Sequence, residues 1–187
     1  YFVDNERFAR SAAAAAPQRD ALRARWSIPA DRACFVYAGK LEPKKRLPDL
    51  LEALRLATAR GAALHLLVVG TGELMDEARA FAQQHALPVT FAGFLNQSEI
   101  ASAYVAGDAL VLPSDWGETW GLVVNEAMAC ARPAIVSDRV GCGPDLVVPG
   151  VTGECFAFGD TVQLAAVLAA CAADRDKLRR MGEAARA

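Results

Sequence analysis

Apolar residues along this chain arrive in short unbroken runs, each followed by a helix breaker. Residues 34–38 form one such run and stop at Gly39. Residues 64–69 stop at Gly70, residues 89–92 at Gly93 and residues 109–112 at Pro113. Residues 134–136 make a fifth run and residues 153–156 a sixth. Between the runs the apolar positions change period. Leu47, Leu50, Leu51 and Leu54 recur at helical spacing, as do Leu164, Leu168 and Cys171. Helices are predicted near residues 73–85, 97–105 (with Ser98 as a cap), 121–130 and 161–171, with one more at the end. Strands apolar throughout and separated by helices predict an α/β fold. The expected form is a doubly wound, Rossmann-like parallel sheet of about six strands with helices on both faces.

The first thirty residues differ in kind. A short apolar stretch, residues 1–5, precedes the alanines of residues 12–16, and Pro17 suits the first turn of a helix ending near Trp26. This predicts a linker and leading helix over residues 1–30 and one α/β domain over residues 31–187. In a doubly wound sheet ligands bind outside the carboxyl ends of the strands. The loops there are residues 39–46, 70–73, 93–97, 113–119 and 137–144, and they hold most of the glycines and clustered charges.

Composition removes several classes. A formal net charge of −2 supplies no basic field for nucleic acid. Five scattered cysteines without a CxxC read as reduced core thiols, and two histidines argue against a histidine metal site, so no metal ligand is assigned. No apolar run is long enough to span a membrane, and the N-terminus has no signal-peptide pattern.

Three constellations carry candidate chemistry. Residues 39–46 place Lys40, Lys44, Lys45 and Arg46 in one loop after Gly39, which is either a diphosphate site or a solvated loop. Gly70-Thr71-Gly72 resembles the start of a dinucleotide fingerprint, but Met75 holds the third glycine position and no acidic ribose partner follows, so a structural turn is the plainer reading. In the third, Glu118 and Glu126 lie eight positions apart around Gly121, which opens a helix at the ligand edge. Eight helical steps span roughly 12 Å, about the reach from a sugar across a diphosphate to a ribose. Two such glutamates also occur by chance. Trp116 and Trp120 are either core residues or a wall for a sugar or a neighbouring domain.

Taken together, these segments resemble the C-terminal domain of the retaining, group-one (family-four) glycosyltransferases of GT-B fold. The family's E-x7-E motif matches Glu118 to Glu126, flanked by Pro113-Ser114, Gly121-Leu122 and Glu126-Ala127-Met128. Its basic loop matches Gly39-Lys40-Leu41 and Lys45, its Val-Gly-x-Gly turn matches Val69 to Gly72, and two later segments match Pro133 to Asp138 and Gly141 to Gly143. Arg46 and Ala131 stand where the family usually has glycine, and Lys40 where arginine is commoner.

The resemblance implies a nucleotide diphosphate sugar donor, a UDP-sugar or GDP-sugar, whose hexose-type sugar moves with retention to a glycan or lipid-linked acceptor. It implies no cofactor or metal. Lys40 and Lys45 would meet the leaving diphosphate, Glu118 would orient the sugar and Glu126 would hold the ribose. Gly39, Gly72, Phe94, Thr119, Trp120, Gly121 and Leu122 would complete the donor site. The acceptor-binding N-terminal domain is expected to lie outside this chain, with Val3-Asp4-Asn5 similar to the interdomain entry. A cytoplasmic enzyme, peripheral to the inner membrane at full length, is expected. A sugar-nucleotide epimerase of the same fold and a nucleotide-binding module without activity are the rival readings.

Overall fold

In the computed structural model, which describes residues 3–186, the strands are β1 (Ala33–Ala38), β2 (Leu64–Val69), β3 (Val89–Gly93), β4 (Ala109–Leu112), β5 (Ala134–Ser137) and β6 (Gly153–Phe156). They form one parallel sheet in the order β3-β2-β1-β4-β5-β6. Every position of β1, β2, β4 and β5 is buried, as their unbroken apolar runs require. Edge strand β3 is half-buried throughout.

Helices cover both faces: α1 (Asn5–Ala15), α2 (Arg19–Arg25), α3 (Leu47–Ala59), α4 (Met75–Gln84), α5 (Ile100–Ala106), α6 (Leu122–Ala129), α7 (Gly143–Leu146), α8 (Thr161–Ala173) and α9 (Arg175–Arg186). Alternation along β1 sorts the core into two layers. Cys34, Val36 and Ala38 join Phe8, Tyr104, Val124 and Met128 on one side. Phe35 and Tyr37 join Leu47, Leu50, Leu54, Leu164 and Leu168 on the other. His65 is buried, and its Nε2 lies 2.9 Å from the Thr90 hydroxyl. Burial, helped by Arg32 and Arg23, pushes its imidazole down to about 4, so it sits neutral in the wall of β2. Among the described residues no helix is long and apolar enough to cross a membrane.

Two local expectations are corrected. The alanine stretch predicted as a linker is helical: it is the second half of α1 and the start of a 3₁₀ turn (Ala16–Gln18). Asp4 caps α1 by accepting from the Arg7 amide at 2.9 Å, and Phe8 anchors it in the core. Tyr1 and Phe2, the start of the short apolar stretch, lie outside the described residues. Ser98 does not cap α5. The Asn96 side chain accepts from the Ser98 and Glu99 amides at 2.9 and 3.1 Å, and that turn delays the helix to Ile100.

The two positions that depart from the family's glycines both have left-handed backbone, Arg46 at φ 55° and Ala131 at φ 56°. A β-carbon there costs roughly 1–2 kcal/mol. Arg46 has compensation: its guanidinium bonds both oxygens of Asp49 at 2.9 and 3.0 Å and lies 5.5 Å from the centre of the Phe158 ring. Ala131 has no side-chain partner of that kind to lose. Urea unfolding should therefore show Ala131→Gly more stable by about 0.5–1 kcal/mol, with m unchanged. Arg46→Gly should gain less or nothing. A loss of stability in Ala131→Gly would mean that this turn carries no strain.

Candidate functional site

The strand order reverses between β1 and β4, and a ligand crevice opens at such a point. The loops that follow these two strands, residues 39–46 and 113–121, meet there. Each is held by contacts that only glycine allows. The β1–β2 pairing runs on past the strands: Gly39 donates to the Val69 carbonyl and Leu41 to that of Thr71, both at 3.0 Å. A β-carbon on Gly70 would stand 1.8 Å from the Gly39 carbonyl oxygen, and one on Gly72 would stand 2.4 Å from that of Leu41. Gly72 thus acts as support beneath the basic loop. This turn presses Leu41 into the core and leaves Lys40 exposed.

The loop after β4 is pinned in the same way. Gly141 and Cys142 donate to the carbonyls of Glu118 and Trp120 at 3.1 and 2.8 Å. A β-carbon on Gly141 would fall 2.0 Å from the Thr119 oxygen. Gly121, at φ 98°, turns this loop into α6. Thr119 is exposed and Trp120 half-buried, with the Trp120 indole N–H donating to Asn125 at 2.8 Å.

The two loops are then joined to each other. The Asp115 amide donates to the Lys44 carbonyl at 2.9 Å. The Lys45 ammonium pairs with the Glu118 carboxylate, which also accepts from the Ser114 hydroxyl at 3.3 Å. Both partners are largely buried, their side chains 16% and 13% exposed. The four cations of the basic loop therefore divide. Lys44 pairs with Glu42 and Arg46 with Asp49, away from this contact. Among the described residues Lys40 is the only one of the four without an ion pair.

Beside this junction lies a pocket of about 250 Å³ whose lining includes Gly39, Lys40, Gly70, Phe94, Val123 and Glu126. It brings four of the sequence-predicted residues together. Phe94 stands 73% exposed at its mouth. Glu126 also borders a second pocket of about 280 Å³, with Asp4, Arg7, Gln97 and Leu122. Burial raises the Glu126 carboxyl above the usual carboxylate range, and the Tyr104 hydroxyl bond and the Arg7 charge oppose the rise. Tyr104 and Val123 had no assigned role in the sequence reading. A tyrosine in a mostly apolar helix was the available signal for the first, since a buried hydroxyl needs a partner.

Two further expectations change. Helix α6 starts at Leu122, so Glu126 is one turn in and only part of the eight-residue spacing is helical. The helical span of roughly 12 Å therefore does not apply. Trp116 is not a core residue: it is 70% exposed at a loop tip, with the Arg139 guanidinium 4.1 Å from its ring centre. A larger cavity, about 470 Å³, lies at the amino ends of the strands, and its lining includes Arg19, Asp108, Arg132, Arg175 and Arg179. There Arg19 and Arg132 donate to carbonyls at the end of α5, and Arg19 and Arg175 flank Asp108, so the cluster closes a helix C-terminus. Among the described residues no group of three or more His, Cys, Asp or Glu is placed to hold a metal ion.

The family model described as "Glycosyl transferases group 1" matches residues 18–187. A glycogen synthase of Mycobacterium tuberculosis is 32% identical over 170 residues, covering 87% of this chain and 41% of that protein. A GDP-mannose-dependent alpha-mannosyltransferase of the same species is 36% identical over 159 residues, covering 84% and 37%. The crystal structure of Anabaena HepE in complex with UDP-glucose superposes with a TM-score of 0.79 at 24% identity, covering 91% of this chain and 47% of HepE. That last likeness is one of fold. The chain spans about two fifths of the length of these curated relatives.

Removing one partner of a largely buried ion pair strands the other, whereas removing both does not. Lys45→Met should lower the unfolding free energy by about 1–3 kcal/mol. Adding Glu118→Gln should restore part of that loss. Strictly additive losses in denaturant titrations would show that the two side chains are uncoupled.

Proposed function

The chain belongs to the group 1 glycosyl transferases, and on that premise we propose that it is the donor-binding half of an enzyme that moves a hexose-type sugar from a nucleoside diphosphate, UDP or GDP, with retention of configuration. The observation that carries this reading is the junction of Lys45 with Glu118 beside a pocket that holds Lys40 and Glu126. It gathers phosphate-binding cations and two hydroxyl-accepting carboxylates on one sheet edge.

The geometry orders the proposed steps. A diphosphate entering the crevice meets Lys40 first, then draws the Lys45 ammonium from Glu118. The carboxylate so released turns to the sugar hydroxyls, which makes binding of phosphate and sugar mutually dependent. As the glycosidic bond breaks, negative charge grows on the diphosphate. Lys40, Lys45 and the amides at the start of α6 stabilise that charge in place, the kind of contribution worth about 3 kcal/mol per donor. Glu126 takes the ribose hydroxyls, and Phe94 and its neighbours in residues 91–95 border the base. The acceptor, a glycan or lipid-linked sugar, and the residues that bind it belong to a further domain of the whole enzyme. A cytoplasmic setting, peripheral to the inner membrane, is part of the same proposal and draws on five cysteines that are all free thiols.

Substitutions at the two glutamates test the polarity of the ligand. Glu118→Gln should weaken UDP-glucose or GDP-mannose relative to the bare diphosphate by about tenfold, while the bare diphosphate binds as well or better because Lys45 is freed. Glu126→Ala should erase the preference for a ribonucleotide over its 2′,3′-dideoxy analogue, since the carboxylate left unpaired is what discriminates. Calorimetry that finds these effects exchanged would reverse the ligand in the site.

A further inference from the structure

Tyr104 is completely buried, on α5, and packs with Phe8 of α1 at 6.5 Å between ring centres. Its hydroxyl is not in a pocket and cannot reach solvent. It donates instead to Oε2 of Glu126, on α6, at 2.8 Å. Burial and the adjacent carboxylate hold the phenol well above its ordinary range, so it remains a donor. Among the described residues no donor is hydrogen-bonded to Oε1 of Glu126, and that carboxylate borders both pockets at the ligand edge.

We propose that Tyr104 is a positioning residue for the site, whose hydroxyl fixes one oxygen of Glu126 from the core side and leaves the other for a pair of ligand hydroxyls. The inference rests on the reading of Glu126 as the ribose-binding carboxylate. A carboxylate on a helix otherwise has free rotation about its side-chain bonds, and ordering it on binding would cost affinity. The tyrosine removes that freedom in advance. Its bond also favours the charged form against burial. The other charged and titratable groups facing Glu126 are Arg7 and Asp4 from the α1 side, Lys40 from the loop after β1, and Cys130 at the end of α6. Of these, the arginine acts with the tyrosine to keep the group ionised.

Tyr104→Phe keeps the ring and deletes only the hydroxyl. In the free chain, carbon-13 NMR should show the Glu126 carboxyl titrating about one pH unit higher in the variant. Binding of UDP and of GDP, whichever the chain takes, should then fail in acid at a correspondingly higher pH. At neutral pH the preference for the ribonucleotide over its 2′,3′-dideoxy analogue should drop severalfold. In a Glu126→Gln background Tyr104→Phe should add nothing to either effect. Wild-type chain gives a check free of any folding defect: a slowly exchanging Tyr104 hydroxyl proton whose NMR shift follows the Glu126 titration. An unmoved carboxyl midpoint together with an unmoved ribose preference overturns the positioning role. A moved midpoint with no ribose preference in wild type overturns the reading of Glu126 itself, and the proposed role with it.

Discussion

The pairing of Lys45 with Glu118 makes one site of two loops that are 73 residues apart in sequence. Each partner sits in a place too sheltered to hold its charge cheaply alone, so each loop depends on the other for electrostatic balance. The backbone bond from Asp115 to Lys44 fixes the approach, and the ion pair fills it. On the proposed reading such a pair is poised for exchange: a diphosphate would offer the lysine more negative charge than the glutamate does, and a sugar would offer the glutamate hydroxyl donors in return.

The rest of the site depends on keeping these loops stiff. Glycine does this where backbones must touch: Gly70 on Gly39, Gly72 on Leu41 and Gly141 on Thr119. Side chains do it where they need not, as with Tyr104 beneath Glu126 and Asn125 beside Trp120. The pocket is thus assembled from positions with little freedom to adjust, which suits preorganised electrostatics. The exposed aromatics Phe94 and Trp116 lie outside this rigid frame.

Much of the fold was legible because burial on both faces leaves an unbroken apolar run, and all six predicted strands are present. The leading helix ending near Trp26 is present, but the alanine stretch before it was misread because five alanines suit a tether as well as a helix. What decides between them is Phe8, buried against residues of α5 and α6 that no local pattern reveals. Within the site, the glutamate spacing and the basic loop pointed to the edge of the sheet where the loops after β1 and β4 meet. Which lysine would pair, and with what, was not legible, since Lys44, Lys45 and Arg46 are adjacent and differ only in direction. Their directions are set within the 3₁₀ turn of Pro43–Lys45, which ends in left-handed backbone at Arg46 without the usual glycine signal. The partner of Tyr104 was not legible for a similar reason: a buried hydroxyl announces a need for a partner and not its identity.

The account stands on where Lys45 goes when the ligand arrives. A crystal structure of this chain with UDP-glucose or GDP-mannose bound measures that directly. The account predicts the Lys45 ammonium on a phosphate oxygen, Glu118 on the sugar, and the ribose hydroxyls on the oxygen of Glu126 that Tyr104 leaves open. A nucleotide sugar seated with its ribose toward Glu118, or bound while the Lys45–Glu118 pair stays closed, would contradict it.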